Sequence, residues 1–437
     1  MRRRDLITGS AAASALALAG GGSAPVRAMS PGGRKLIVVW VNGAWDVSYC
    51  MDPKPGAPLV DGPEDHDVGD GALDEEVRTF GDDLRIQCND ALRPSVSRFF
   101  EKWASRVAVV NGVQVGSIGH DPARFRMLTG TPDSRNPDLA VITGHALGSA
   151  LPLGSLDFSG YSLAGDLASS SGRIGAHGQL EALLDPYAGP PPPPGSTLAY
   201  PLHVPDADGA ADAEALLLAR TLRFLESHGR GTESRRRIEQ YFDSQDRVER
   251  FRAQAADILS ALADGQKPGF SSSLGLAVDL FARNVCQSAF VDTGLTWDTH
   301  VVNTAQGKNF EALFDGLDDL MHRLYEPGRG DVPVEDGVVV AVLSDFTRTP
   351  RFNLDGGKDH WPVGSAMLLG DGVRGGRTLG GTDDLLGELR VDLQSGDVTE
   401  SGEYLSYASL VAGILEHCGV DPGEWLPDAT PFRGATA

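Results

Sequence analysis

"KLIVVWVN", residues 35–42, is an unbroken apolar run rich in β-branched side chains. A strand with one wet face would alternate, so a run without polar residues reads as a strand covered on both faces. "GAWD" (43–46) follows at once and ends in Asp46. The pattern returns along the chain. "RVAVVNG" (106–112) follows the amphipathic "LRPSVSRFFEKWAS" (92–105). "QSAFVDTG" (287–294) follows the helical "SLGLAVDLFARNVC" (273–286), and "GVVVAVLSD" (337–345) follows "NFEALFDGLDDLMHRLYE" (309–326). "AYPLHVP" (199–205) reads as a further short strand and "SAMLLGDG" (365–372) as another. "YLSYASLVAGILEHCG" (404–419) reads as a helix that stops at Gly419. Strands separated by helices predict an α/β fold: a mostly parallel sheet with helices on both faces.

The two ends of this frame differ from it. Residues 1–28 place Arg3 and Arg4 before a weakly apolar Ala/Leu run, and Ala28 is the expected cleavage point. The run falls short of the ~20 residues that cross a bilayer, so it reads as a signal peptide. The arginine pair predicts the twin-arginine route to the periplasm or cell exterior, with an ordinary secretory signal as the alternative. No later run has the length of a membrane span. Residues 29–437 read as one domain with a helical insertion at about 205–265. The insertion follows the extended "GPPPPPG" (189–195) and carries Leu and Phe at helical spacing among many charges.

Composition excludes some partners. Hydrophobic content of 41% and charged content of 22% are those of an ordinary globular protein. The formal net charge of −22 repels nucleic acid and anionic lipid headgroups alike. Cys50, Cys88, Cys286 and Cys418 lack metal-motif spacing. A twin-arginine substrate folds in a reducing cytoplasm, so its core should not depend on bridges. Cys286 and Cys418 read as buried thiols, and Cys50 with Cys88 as a candidate late bridge.

In open parallel sheets ligands bind beyond the carboxyl ends of the strands. Asp46 follows the first strand; "VQVGSIGHD" (113–121) brings Ser117, His120 and Asp121 after the next. "LTWDTH" (295–300) brings Asp298 and His300; Asp345 ends its strand with Arg348 close behind; "DGGKDHWP" (355–362) brings Asp359 and His360. A single such Asp is ordinarily a cap or turn residue. Asp298 and His300 by themselves either hold a metal, run acid–base chemistry or hydrogen-bond in a loop. Carboxylates and imidazoles after four strands of one edge suit a divalent metal, zinc or manganese rather than magnesium or calcium. Arg348 and Arg351 are candidates to fork onto phosphate or sulfate oxygens, Arg351 being equally suited to ion pairing. "GDGVRGGRTLGG" (370–381) lacks the context of a nucleotide loop and reads as a hairpin or tight turns near the site.

Taken in order, "GAWDV", "GHDPARF", "LTWDTH", "VVVAVLSDFTRTPRFNLDGGKDHWP" and "LGDGVRGGRTLGGTDD" resemble the exported family known as domain of unknown function fifteen-oh-one. That family is similar in fold to sulfatases and alkaline phosphatase. The resemblance implies an alkaline-phosphatase-like core with a divalent metal held by Asp46, Asp298, His300, Asp345 and His360. It places His120 near the usual nucleophile, which makes His120 and Arg348 the catalytic candidates. The chain also departs from the family: "NGAWD" replaces Gly-Gly before the first Asp, and "SDFTR" replaces Ser-Glu-Phe-Gly-Arg. Gly119 stands where the family has Ser, which leaves Ser117 as a substitute nucleophile, with Ser48 and Thr129 behind it. Hydrolysis without a protein nucleophile remains workable if a metal activates water.

Two function classes follow. One is an exported metal-dependent hydrolase of a small anionic phosphate or sulfate ester. The other is a non-catalytic exported protein that keeps the fold, with or without a metal, for a structural role or to bind an envelope partner.

Overall fold

A computed structural model describes residues 33–65, 74–174, 207–228, 269–329, 332–334 and 337–436, with 231, 242, 247 and 250. The signal segment, "GPPPPPG" and "AYPLHVP" lie outside these residues. The chain divides into two compact units, Met1–Ser30 with Glu181–Ala253 and Pro31–Leu180 with Gln254–Ala437. The described residues of the first unit centre on one helix, α4 below, which lies inside the expected insertion.

In chain order the elements begin with β1 (Lys35–Val41), β2 (Glu76–Phe80), β3 (Leu84–Cys88), α1 (Pro94–Trp103), β4 (Val107–Gln114), α2 (His120–Thr129) and α3 (Leu139–Leu147). Then come β5 (Ser155–Asp157), β6 (Ser171–Arg173), α4 (Ala207–His228), α5 (Phe270–Ala282), β7 (Ser288–Asp292), α6 (Ala305–Tyr325) and β8 (Val338–Ser344). The last are β9 (Thr347–Arg348), β10 (His360–Trp361), β11 (Val363–Gly370), β12 (Arg377–Gly380), β13 (Arg390–Val391), β14 (Glu403–Tyr404) and α7 (Tyr407–Cys418).

Eight strands form one sheet in the order β12-β4-β11-β8-β1-β7-β5-β6. The opening run of the sequence lies between β8 and β7, parallel to both. It is buried at every position, as a strand covered on both faces must be. Leu36, Val38 and Trp40 join the core shared with α2, α3 and α7. Ile37, Val39 and Val41 point the other way by strand alternation. On that side α6 packs against α1, Phe314 meeting Phe99 and Phe100, and against α5.

Only β11 runs against the other seven strands, antiparallel to both β8 and β4. The link before it, residues 345–362, holds no helix to cross over the sheet; a parallel return usually runs through one, whereas here the chain turns back through the β9–β10 hairpin. The reversal starts β11 at the edge where β8 ends. It also places the start of the glycine-rich segment away from the site: Gly376 N donates to Ala104 O and Val107 O, at the amino end of β4. The turns expected near the site therefore lie at the far edge over 370–376, and the rest of the segment returns toward the site as β12, parallel to β4.

Helix ends follow local chemistry. Asp138 caps α3 by accepting from Val141 N, and Ser406 caps α7 by accepting from Ser409 N. Such a cap contributes about 1 kcal/mol. α7 ends where expected, at Gly419, in the left-handed conformation (φ +95) that glycine adopts at least cost. It begins later than expected, because Glu403 and Tyr404 pair with β13 instead. All four cysteines are buried free thiols, so Cys50 and Cys88 are not bridged. Burial pushes the Cys286 and Cys418 thiols up to about 12. No helix of the described residues is long and apolar enough to cross a membrane.

Candidate metal centre

The parallel register sets the stage. Val41 pairs with Ser344 and Trp40 with Asp292, so β1, β7 and β8 end level with one another. The residues just beyond them share one edge, and α2 starts there with His120. Because β11 is reversed, the segment leading into it ends at the same edge and delivers His360.

Asp345 is fully buried directly after β8. Its Oδ1 accepts from Trp40 Nε1 at 2.8 Å and its Oδ2 from Gly43 N at 3.3 Å. Oδ2 also faces His120 Nδ1 at 2.7 Å. A carboxylate only accepts, so Nδ1 carries the proton and Nε2 holds the lone pair. His300 is arranged alike, with Nδ1 2.9 Å from Asp359 Oδ1. His360 repeats the device, with Nδ1 2.6 Å from the Ile118 carbonyl oxygen.

The three remaining nitrogens converge. His120 Nε2, His300 Nε2 and His360 Nε2 lie 3.5, 3.1 and 3.4 Å from Asp298 Oδ1. One ligand atom each from His120, Asp298 and His360 lie within 4.8 Å of one another. His300 Nε2 and His360 Nε2 are 2.9 Å apart. Each ring already donates from Nδ1, so two lone pairs face each other, an arrangement that needs a proton or a cation between them. His120 Nε2 is buried and makes no hydrogen bond. All four side chains are partly exposed, so solvent reaches them.

Electrostatics favour the ionised carboxylate. Burial works against the charge of Asp298, but the Arg348 guanidinium with His120 and His300 holds its carboxyl below the usual range. The Asp345 hydrogen bond raises His120 above an ordinary imidazole, while burial lowers His360.

Several expectations need correction. Arg348 is buried and takes no substrate anion: Nε donates to Ala44 O at 2.9 Å and one terminal nitrogen to Lys358 O at 3.2 Å. The other terminal nitrogen donates to Gly43 O, to Trp297 O at 3.0 Å and to Asp298 Oδ1 at 2.6 Å. It is a clamp on Asp298. Asp46 does not join the cluster either. Its Oδ2 pairs with Lys358 Nζ at 2.8 Å and accepts from Asn303 at 2.7 Å, with both charges buried. Its Oδ1 accepts from the Ser48 hydroxyl at 2.7 Å, which accounts for Ser48 as well. Asp345 reaches the cluster through His120, since its oxygens are taken by Trp40, Gly43 and the imidazole. Thr129 bonds the carbonyls of Phe125 and Thr131.

His120 stands among the ligand-type donors, where the sequence suggested a catalytic role. Ser117 closes a turn by accepting from Gly119 N at 3.1 Å. Among the described residues no hydroxyl or thiol bonds to any of the four converging side chains. Trp297 is buried on Phe310 beneath the segment, holding it from below. Arg351 faces Asp61 at 3.7 Å, as its ion-pairing reading expected. Sequence reasoning missed Lys358, although it stands two residues before His360, because no carboxylate near it in sequence announced the partner at Asp46.

The sequence matches the family described as "Protein of unknown function (DUF1501)" over residues 33–427, and the chain belongs to that family. No curated protein matches it. Solved structures similar to this chain include these three. One is a protein in the alkaline phosphatase superfamily from Vibrio parahaemolyticus, at 10% identity, covering 89% of this chain and 67% of its own, with a TM-score of 0.34. Another is Ps i-CgsB, at 9% identity, 92% and 75% coverage and a TM-score of 0.38. The third is the phosphonate monoester hydrolase of Agrobacterium radiobacter, at 12% identity, 92% and 78% coverage and a TM-score of 0.33.

Proposed function

We propose that this member of the DUF1501 family is an exported, metal-dependent hydrolase of a small phosphate or sulfate ester. The observation that carries the reading is the convergence of three imidazole nitrogens on one Asp298 oxygen, at 3.5, 3.1 and 3.4 Å. Donors bound tetrahedrally at ~2.0–2.1 Å to zinc stand about 3.3 Å from one another. The three distances to Asp298 have that spacing; His120, Asp298 and His360 form a group whose ligand atoms all lie within 4.8 Å of one another, with His300 beside it, and the buried, unbonded His120 Nε2 supplies an open donor. Three imidazoles and one carboxylate suit zinc or manganese better than magnesium or calcium, which prefer all-oxygen sites.

A divalent metal held there supplies Lewis acidity toward an ester oxygen. The chain's own residues hold the donors ready. Asp345, Asp359 and the Ile118 carbonyl each accept a hydrogen bond from an Nδ1–H, which fixes the tautomer and aim of its imidazole. Arg348 fixes Asp298. With no side-chain hydroxyl among the described residues bonded to the cluster, attack falls to water, and no protein nucleophile is assigned. The ester class rests on the resemblance of the motifs to the sulfatase and alkaline phosphatase type. Export rests on Arg3 and Arg4.

The second reading, a non-catalytic exported metal protein, is favoured by one observation: Arg348 is fully occupied within the fold. Elemental analysis of purified mature protein, followed by hydrolysis of aryl phosphates and aryl sulfates, tests both. Bound zinc or manganese with turnover supports the hydrolase. Metal without turnover on either ester supports the second reading, and no metal at all rejects the hydrolase.

A further inference from the structure

We infer that the candidate metal centre takes an amphiphilic ester, whose anionic head meets the donor cluster and whose non-reacting part is a hydrocarbon; this rests on the hydrolase reading above. Large aliphatic side chains stand exposed on the loops that carry the donors. Val301 and Val302, 61% and 55% exposed, directly follow His300. Ile118, 58% exposed, supplies the carbonyl that aims His360. Leu354 is 105% exposed, on the loop that ends in Asp359 and His360.

These side chains are held in place by the same bonds that build the site. Asn353 Nδ2 donates to His300 O at 2.9 Å, and Asn303 N donates to Gly356 O at 3.2 Å. The Asn353 side-chain oxygen accepts from Asp355 N and Gly357 N, which closes the turn that presents Leu354. The loop of Val301 and Val302 and the loop of Leu354 are therefore clamped together beside the histidines. One exposed aliphatic residue is ordinary, but several on loops around one polar site form a patch that a ligand can cover. Core packing does not account for them, since none is buried. The net charge of −22 argues against an anionic bilayer as the cover. A single molecule that satisfies both a divalent metal held by the cluster and the aliphatic rim has an anionic head and a hydrocarbon tail.

The test is binding, read by calorimetry, of n-alkyl phosphates from methyl to octyl to the zinc-loaded wild type below their micelle concentrations. Affinity is expected to rise roughly two- to fourfold per methylene over the first several carbons. Val302→Ser and Leu354→Ser should flatten this dependence while leaving zinc content and methyl phosphate affinity unchanged. Affinities that are equal from methyl to octyl overturn the apolar subsite and leave the hydrolase reading standing. Octyl phosphate binding that survives in a zinc-free His300→Ala variant overturns it too, because the tail then binds apart from the cluster. If alkyl phosphate affinities stay flat while the protein sediments with phosphatidylcholine vesicles, the rim is a membrane-contact surface and the proposal fails. Absence of binding by every alkyl phosphate to zinc-loaded protein rejects both the subsite and the phosphate-ester reading.

Discussion

Asp345→Asn should weaken the metal centre without removing a ligand. Asp345 accepts from Trp40 Nε1 at 2.8 Å and from His120 Nδ1 at 2.7 Å, on different oxygens. An asparagine has one oxygen. Kept against the indole, it turns an NH2 toward Nδ1, which must then give up its proton. The proton moves to Nε2 and blocks the lone pair that faces Asp298. Loss of such a supporting partner typically weakens metal affinity 10–100-fold. With free zinc at ~100 times the dissociation constant, wild type gains about 2.7 kcal/mol from binding. A 100-fold loss leaves about 0.4 kcal/mol at the same zinc concentration. At roughly 2.1 cal/mol/K of unfolding entropy per residue, the 437-residue chain has about 0.9 kcal/mol/K. The difference is thus a loss of about 2–3 °C in zinc-induced Tm shift. Differential scanning fluorimetry with and without zinc measures it, and the metal-free melts subtract any direct cost of the substitution. An Asp345→Asn protein with the full wild-type zinc shift would refute the tautomer argument. A wild type that neither carries metal nor shifts with zinc or manganese would refute the centre itself.

Lys358→Met should leave Asp46 a buried charge without its cation, at a cost of about 3–5 kcal/mol in chemical denaturation; a change below ~1 kcal/mol would show that Asn303 and Ser48 suffice. Burial, with Arg34 beside it, holds the His417 imidazole below its usual value. The unfolded chain therefore binds its proton first, near pH ~6.5. Stability from this group is complete above that pH and falls as pH drops through the window below it. His417→Gln should flatten that limb of the stability profile, and an unchanged slope rejects the assignment. Reductant should leave the melting curve unchanged, because all four cysteines are buried thiols; a large drop in Tm would reveal a bridge. Arg3→Lys with Arg4→Lys should retain the precursor in the cytoplasm, and undiminished export in a fractionation assay would assign the ordinary secretory route.

The strands were legible because their code is local. "KLIVVWVN" needs no partner to announce a strand buried on both faces, and from Lys35 to Val41 the run lies buried inside the sheet. Gly419 announced the end of α7 for an equally local reason, the left-handed backbone it alone adopts cheaply. The pair in "WDTH" was legible for the same reason: residues two apart in an extended segment share a face, and Asp298 and His300 do meet, at 3.1 Å.

What the tertiary structure alone decided is which charges meet across hundreds of residues. Asp46 and Asp345 look alike in sequence, each an acid near the end of a buried strand. One is neutralised by Lys358 and the other holds an imidazole, because register and chain reversal set their neighbours. The hairpin after β8 reverses β11 and returns His360 to the edge where His120 and Asp298 already stand. Arg348 reads as a free guanidinium until the carbonyls of Gly43, Ala44 and Trp297 close around it. Hydrogen bonding and Coulomb attraction act between neighbours in space, and periodicity carries only neighbours along the chain. The fold class was therefore written in the sequence, while the roles of its acids and histidines were set only when the strands came together.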